Sequence, residues 1–162
     1  MATWDDFVEQ APELARLSLE LFQSTDLVML GTLRQDGWPR ISPVEWGIFD
    51  GDLVIGMMWQ SKKALDLLRD GRCVIHSTTS DKNGQQGDAK LYAVARPLEE
   101  ERMEPMWQWL EANTGWRPTG PAHAFVFDIA SAAFVRFTGP PEDEMRWLSW
   151  PGPQDWKTQP GG

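Results

Sequence analysis

The stretch LVMLGTLRQDGWPRISPVEWGIFDGDLVIGMM, residues 27–58, decides the fold. It holds three apolar segments, Leu27 to Arg34, Pro39 to Phe49 and Leu53 to Met58, separated by Asp36-Gly37 and Asp50-Gly51. Asp-Gly pairs tolerate positive φ in tight turns, so the stretch predicts a strand meander. In the second segment Val44, Trp46 and Ile48 alternate with Glu45 and Gly47, the pattern of a strand with two unlike faces. Pro43 has no N–H to give a neighbouring strand, which places it at an edge or a bulge.

Working outward toward the C-terminus, Ser61 offers an N-cap to a helix of about two turns, Lys62 to Arg69, and Asp70-Gly71 supplies the stop. Arg72 to Thr78 resumes the sheet. Thr79 to Gly87 is polar and glycine-bearing, a loop, before another strand at Asp88 to Pro97. Met103, Met106, Trp107 and Leu110 share one helical face, with Glu99, Glu100 and Glu101 near the positive end of the dipole and Pro105 placed to break the first turn. Two more β-rich runs follow, Ala124 to Ile129 and Ala133 to Thr138. Toward the N-terminus, Phe7, Ala11, Leu14, Ser18, Leu21 and Phe22 give residues 3–22 one apolar face. Those residues read as a covering helix, in which Pro12 either starts the main segment or kinks a longer one.

About seven strands and three helices make an α+β chain. Short turns with little helix between strands predict a closed or half-closed antiparallel barrel of six or seven strands with flanking helices, not a doubly wound parallel sheet. The barrel domain is expected over residues 1–138. Residues 139–162 form a tail rich in Pro, Gly and Trp, ordered where Trp147, Trp150 or Trp156 finds a surface to cover.

Composition narrows the function classes. The chain has 162 residues, the size of one domain, and a formal charge of -9. Such a balance repels phosphate backbones and anionic membrane surfaces, so neither nucleic acid nor membrane is expected as a partner. No apolar run approaches the roughly 18 residues of a membrane span, and the acidic N-terminus has no export signal. A lone cysteine, Cys73, in a strand-like context fits a reducing cytoplasm. His76 and His123 are not spaced with Cys73 as metal ligands, and no phosphate-binding glycine loop or nucleophile elbow is present. His76 reads as a hydrogen-bonded barrel histidine. Glu45 and Asp128 have no evident carboxylate partner, so no acid, base or nucleophile is assigned.

The informative constellation is Pro39-Arg40-Ile41-Ser42-Pro43-Val44 followed by Gly56-Met57-Met58-Trp59-Gln60-Ser61-Lys62-Lys63. From Arg34 to Arg72 six basic residues balance six acids, leaving 9 basic against 18 acidic elsewhere, so this segment is relatively electropositive. Lys62 and Lys63 in the first turn of a helix oppose its dipole unless an anion is present, and a phosphate would resolve the conflict. The plainer alternative is a pair of solvated lysines. Ten tryptophans stand against one tyrosine, Tyr92, and Trp38, Trp46 and Trp59 lie near this constellation. Indoles suit a planar ligand, although core packing is their commoner use.

The motifs D-G-x-P-R-x-S-P-V at Asp36 to Val44 and S-K-K-A-L-D-L-L-R-D-G-R at Ser61 to Arg72 resemble those of the pyridoxamine 5'-phosphate oxidase-like flavin-binding proteins, over roughly residues 5 to 138. The resemblance implies a split β-barrel that binds FMN, or alternatively the 8-hydroxy-5-deazaflavin coenzyme F-420, at a homodimer interface. Some related barrels bind haem. By that resemblance Arg40, Lys62 and Lys63 hold the cofactor phosphate and Ser61 adds a hydroxyl. The backbone from Ile41 through Ser42 to Val44 runs beside the ring system, and Met57 and Met58 line the same pocket. The implied activity is hydride or electron transfer to a small organic substrate. The alternatives are a non-catalytic flavin- or haem-binding protein and an interaction barrel without cofactor. Two departures separate the chain from the vitamin B6 oxidases proper. Glu45 stands where they carry a second basic residue, and the tail reads Arg146-Trp147-Leu148-Ser149-Trp150 where they carry an Arg-x-His signature.

Overall fold

The structure is a computed structural model that describes residues 1–161. The N-terminal segment forms two helices, α1 (Trp4–Gln10) and α2 (Pro12–Thr25). Thr3 caps α1 by accepting from Asp6 N–H, while the Asp6 carboxylate accepts from Thr3 N–H in return. Pro12 resolves the choice left open by the sequence. It sits in the first turn of α2, where a missing N–H costs nothing, and Ala11 leaves the helical region at φ -143°.

The strands are β1 (Leu27–Leu33), β2 (Pro39–Glu45), β3 (Gly47–Phe49) and β4 (Asp52–Met58). After helix α3 (Lys62–Arg69) come β5 (Arg72–Ser77) and β6 (Asp88–Pro97). Helix α4 (Glu100–Thr114) precedes β7 (Ala122–Phe137), β8 (Glu144–Trp150) and β9 (Lys157–Pro160). All pairings among the described strands are antiparallel, in the order β2-β1-β5-β6-β7-β4-β3, with β8 and then β9 added beside β7.

That order carries the architecture. β2 and β3 lie at opposite ends of the hydrogen-bonded path, yet only Trp46 separates them in the chain. Consecutive Cα atoms are about 3.8 Å apart, so the sheet must curl until its two ends meet at residue 46. The result is an α+β half-closed barrel whose ladder is interrupted at one seam. The segment Pro39 to Phe49, expected as one strand, is therefore two. Its first part pairs with β1 and its second with β4.

Two other expectations change. The runs Ala124 to Ile129 and Ala133 to Thr138 merge, up to Phe137, into one long strand, β7, whose ladder with β6 shifts register between Tyr92 and Ala93 and skips Ala130. A bulge had the sequence signature of a break, because the extra residue inverts the inward and outward alternation. Helix α4 runs through Pro105 instead of breaking there. Beyond Gly139, Trp150 is buried edge-on to Phe7, and the Trp156 indole meets Phe134 edge-on, which anchors β8 and β9 to the barrel.

The main core fills the barrel with Phe22, Leu30, Ile55, Ile75, Leu91, Phe125 and Phe127, and α2 closes it with Leu14, Ala15 and Phe22. A smaller apolar cluster lies outside the sheet, where Met106 and Trp107 of α4 cover Val54, Ala124 and Val126. Gly56 makes this close packing possible, since a Cβ there would stand 3.1 Å from the Trp107 ring.

Candidate functional site

Helix α3 begins at the point where β2, β4 and the seam converge, and a cavity opens on each side of its first turn. One is a cationic groove of about 480 Å³, lined by Arg34, Arg40, Lys62 and Arg69 with Asp36 and Asp66. Four cations against two carboxylates in a chain of charge -9 make this an anion-seeking surface. The other is an aromatic cavity of about 560 Å³ at the barrel seam, between β4 and α4. Trp46, Trp107 and Trp109 wall it, and Glu45 and Lys63 are its charged residues.

The predicted site residues divide between these spaces. Arg40 and Lys62 enter the cationic groove. Val44, Met57, Met58 and Lys63 line the aromatic cavity. Ile41 is 68% exposed on the outer face of β2, and Ser42, half-buried, pairs with Leu30 in the ladder. Adjacent lysines thus serve different cavities, since successive positions of a helix point about 100° apart.

Ser61 occupies the N-cap position of α3, as expected, but its side chain makes no capping hydrogen bond. Its Oγ is buried and without a partner among the described residues. A buried hydroxyl left unpaired costs roughly 1–3 kcal/mol, so its persistence here suits an external acceptor. Lys62 and Lys63 likewise make no ion pair among the described residues. A buried hydroxyl and two unpaired ammonium groups thus stand at one helix start, with Lys62 opening on the cationic groove and Lys63 on the aromatic cavity.

Sequence reading missed the residue that organises this site. Asp66, only 4% exposed, accepts from Arg40 Nε at 2.7 Å, Thr32 Oγ1 at 2.9 Å and Arg69 at 3.4 Å. Burial pushes its carboxyl up, but the hydrogen bonds from Arg40 and Thr32 outweigh this and hold it below the usual carboxylate range. Arg69 is fixed further by donating to the Leu33 carbonyl. With Nε committed to Asp66, Arg40 keeps its terminal nitrogens for the groove. The available signal was the spacing of Asp66 and Arg69 on a helix otherwise buried by Ala64 and Leu67.

His76 behaves as the sequence predicted. It lies on the outer sheet face, with Nδ1 2.7 Å from the Ser77 carbonyl oxygen and Nε2 3.3 Å from Asp88. The Asp88 carboxylate raises its pKa against the opposing effect of burial. His123 stacks under Trp59 at 4.4 Å and its Nε2 accepts from Gln60 N–H. Among the described residues no three His, Cys, Asp or Glu side chains gather as a metal site. Among the described residues no helix is long and apolar enough to cross a membrane.

No family model matches the chain, and no curated protein matches it. Solved structures do. A Clostridium acetobutylicum protein related to general stress protein 26, of the pyridoxinephosphate oxidase family, superposes with TM-score 0.63 at 17% identity, covering 86% of this chain and 94% of the other. PhzG from Burkholderia lata, in complex with tetrahydrophenazine-1-carboxylic acid, gives TM-score 0.66 at 14% identity over 96% of this chain and 94% of its own. A haem-binding protein from Mycobacterium smegmatis gives TM-score 0.57 at 20% identity, over 91% of this chain and 58% of its own length. From the half-closed antiparallel barrel and these superpositions, the chain has the fold of the pyridoxamine 5'-phosphate oxidase-like proteins.

Proposed function

We propose that the chain is a homodimeric oxidoreductase that binds FMN, with coenzyme F-420 as the alternative, and reduces or oxidises a small organic substrate. The observation that carries this reading is the buried, unpartnered Ser61 Oγ at the start of α3, flanked by the unpaired Lys62 and Lys63. Lys62, Arg40 and Arg69 would bind a phosphate from the cationic groove, with Asp66 holding the two guanidiniums in place. Ser61 would donate to the same phosphate, and Lys63 would meet it from the opposite cavity. The β2 backbone from Ile41 to Val44 and the exposed Met58 would flank the ring. Hydride and electron transfer is the chemistry a flavin or deazaflavin supplies when bound. The chain's own part is to bind, orient and shield.

A second copy fits the outer sheet face. Ile41, Gly31, Val74 and Tyr92 stand side by side across four strands in the observed register, and Ile41 and Tyr92 are 68% and 52% exposed. An apolar row of this kind, with Trp38 at 69% exposed just ahead of β2, is a surface that a second copy would cover.

The haem-binding structural neighbour raises the non-catalytic reading. Here His76 has both ring nitrogens engaged, and His123 is stacked beneath Trp59 with Nε2 accepting from Gln60 N–H, so either imidazole would have to give up an existing contact to hold a haem iron through those nitrogens. The flavin reading is favoured on that ground.

Titration of the purified chain with FMN and, separately, with F-420, followed by tryptophan fluorescence, tests the proposal. One of the two should bind saturably. Lys62→Ala should weaken that binding by about 1–3 kcal/mol through loss of a charge-assisted contact. Absence of binding to both, or unchanged affinity in Lys62→Ala, overturns it. A mass that stays monomeric at all concentrations removes the shared interface site.

A further inference from the structure

The aromatic cavity lies beyond the phosphate donors and asks for an occupant of its own. Its walls come from rigid elements. Trp46 fills the seam and packs edge-on to Phe22, and Trp109 lies against Phe49 and directly over Gly47, where a Cβ would stand 2.5 Å from the indole. Trp107 is held over Gly56 in the same way. At the mouth, Trp59 and Trp116 are 54% and 55% exposed, so two indoles are open to a ligand. A volume of about 560 Å³ is within the range of small-molecule pockets. Flat walls of this kind select flat, ring-containing molecules by stacking and dispersion.

The charges refine that class. Glu45 and Lys63 both line the cavity and neither has an ion-pair partner among the described residues, so they do not neutralise each other across it. Lys63 belongs to the first turn of α3 and is taken up by the cofactor phosphate in the function proposed above. Glu45 is then the charge that faces the substrate. A carboxylate on an aromatic wall accepts from an N–H donor or pairs with a protonated amine, and repels phosphate and carboxylate groups.

We infer that the seam cavity is the substrate pocket, and that it takes a planar aromatic molecule bearing an amino or other cationic N–H group, held between indoles and oriented by Glu45. This rests on the cofactor reading for the assignment of Lys63. It also reverses the preference expected of a pocket that receives phosphorylated substrates.

Two probes of one shape and opposite charge test it: 9-aminoacridine, a cation at neutral pH, and acridine-9-carboxylate, an anion. Each is titrated calorimetrically into the full chain, alone and with saturating FMN. With FMN bound, the amine should bind about tenfold more tightly than the carboxylate, the worth of one charge-assisted contact. Glu45→Gln, isosteric and at an exposed position, should abolish that preference. Trp116→Ala should weaken both probes about fivefold, because stacking on the indole is indifferent to charge. Equal affinity for the two probes overturns the inference, as does a preference that survives Glu45→Gln. Displacement of the amine by FMN also overturns it, since the cavity would then be the flavin's. If FMN fails to bind while the amine preference and its loss in Glu45→Gln are observed, the flavin reading alone falls and the pocket's ligand class stands.

Discussion

Asp66→Asn probes the scaffold of the anion groove. The carboxylate is almost completely buried and accepts three hydrogen bonds, two of them from guanidiniums. Asparagine preserves the volume and one acceptor oxygen, so the Thr32 bond survives while the charge between Arg40 and Arg69 is lost. A hydrogen bond to a charged group contributes roughly 1.5–3 kcal/mol. The Arg69 contact, at 3.4 Å, adds less than the 2.7 Å Arg40 contact. The Arg40 side chain is 26% exposed, so water recovers part of its loss. The net cost is about 2–3 kcal/mol at neutral pH. In a domain of this length each kcal/mol moves Tm by about 2–4 °C, which gives a fall of about 4–12 °C. The pH dependence follows from the lowered Asp66 pKa. Its stabilisation is present above the unfolded carboxylate value of about 3.9 and is lost as pH falls through the lower folded value. Urea unfolding monitored by tryptophan fluorescence should therefore show the two proteins well separated at neutral pH and converging in acid. A neutral-pH difference under about 0.5 kcal/mol refutes the reasoning, because surface substitutions produce as much. A gap that persists unchanged into strong acid refutes the charge argument.

The His76–Asp88 pair sets a second pH dependence, of opposite sign. The raised imidazole pKa makes its stabilisation complete below the unfolded value of about 6.5 and lost as pH rises through the folded value. Thermal unfolding of wild type and Asp88→Asn should differ most in mild acid and narrow as pH rises to the residual share of Lys90, whose ammonium also lies 3.2 Å from Asp88, and a difference independent of pH would contradict the His76 pairing. Gly47→Ala should displace the Trp109 indole and cost about 1–3 kcal/mol, with a changed near-ultraviolet circular dichroism spectrum. An unchanged spectrum and Tm would show that the indole does not lie on β3. Burial pushes the Cys73 thiol up to about 12. It should resist a disulfide reagent at mildly alkaline pH in the native protein and react rapidly once urea unfolds the chain; native-state labelling at the rate of a free thiol would show it to be accessible.

Strands β1, β4, β5 and β6 and the two Asp-Gly turns were legible in the sequence because the information is local. Alternation marks a two-faced strand, and Asp36-Gly37 and Asp50-Gly51 mark their turns by the positive φ that Gly37, Asp50 and Gly51 adopt. The cationic character of the Arg40 and Ser61-Lys62-Lys63 motifs was equally plain, since charge and helix position are both written in the chain. What only the tertiary structure decided depends on distant residues meeting. Trp46 ends one strand because the barrel must pass from one sheet edge to the other there, a requirement invisible in the unbroken alternation from Val44 to Ile48. Asp66 reads as a surface helix residue until Thr32 and Arg40, 34 and 26 positions away, are brought to it. The division of Lys62 from Lys63 between two cavities, and the placing of Glu45 among indoles from the β2–β3 junction, α4 and the segments that follow β4 and α4, likewise arise from packing. Local propensity chooses the elements, whereas burial and charge compensation choose which side chains end up facing one another.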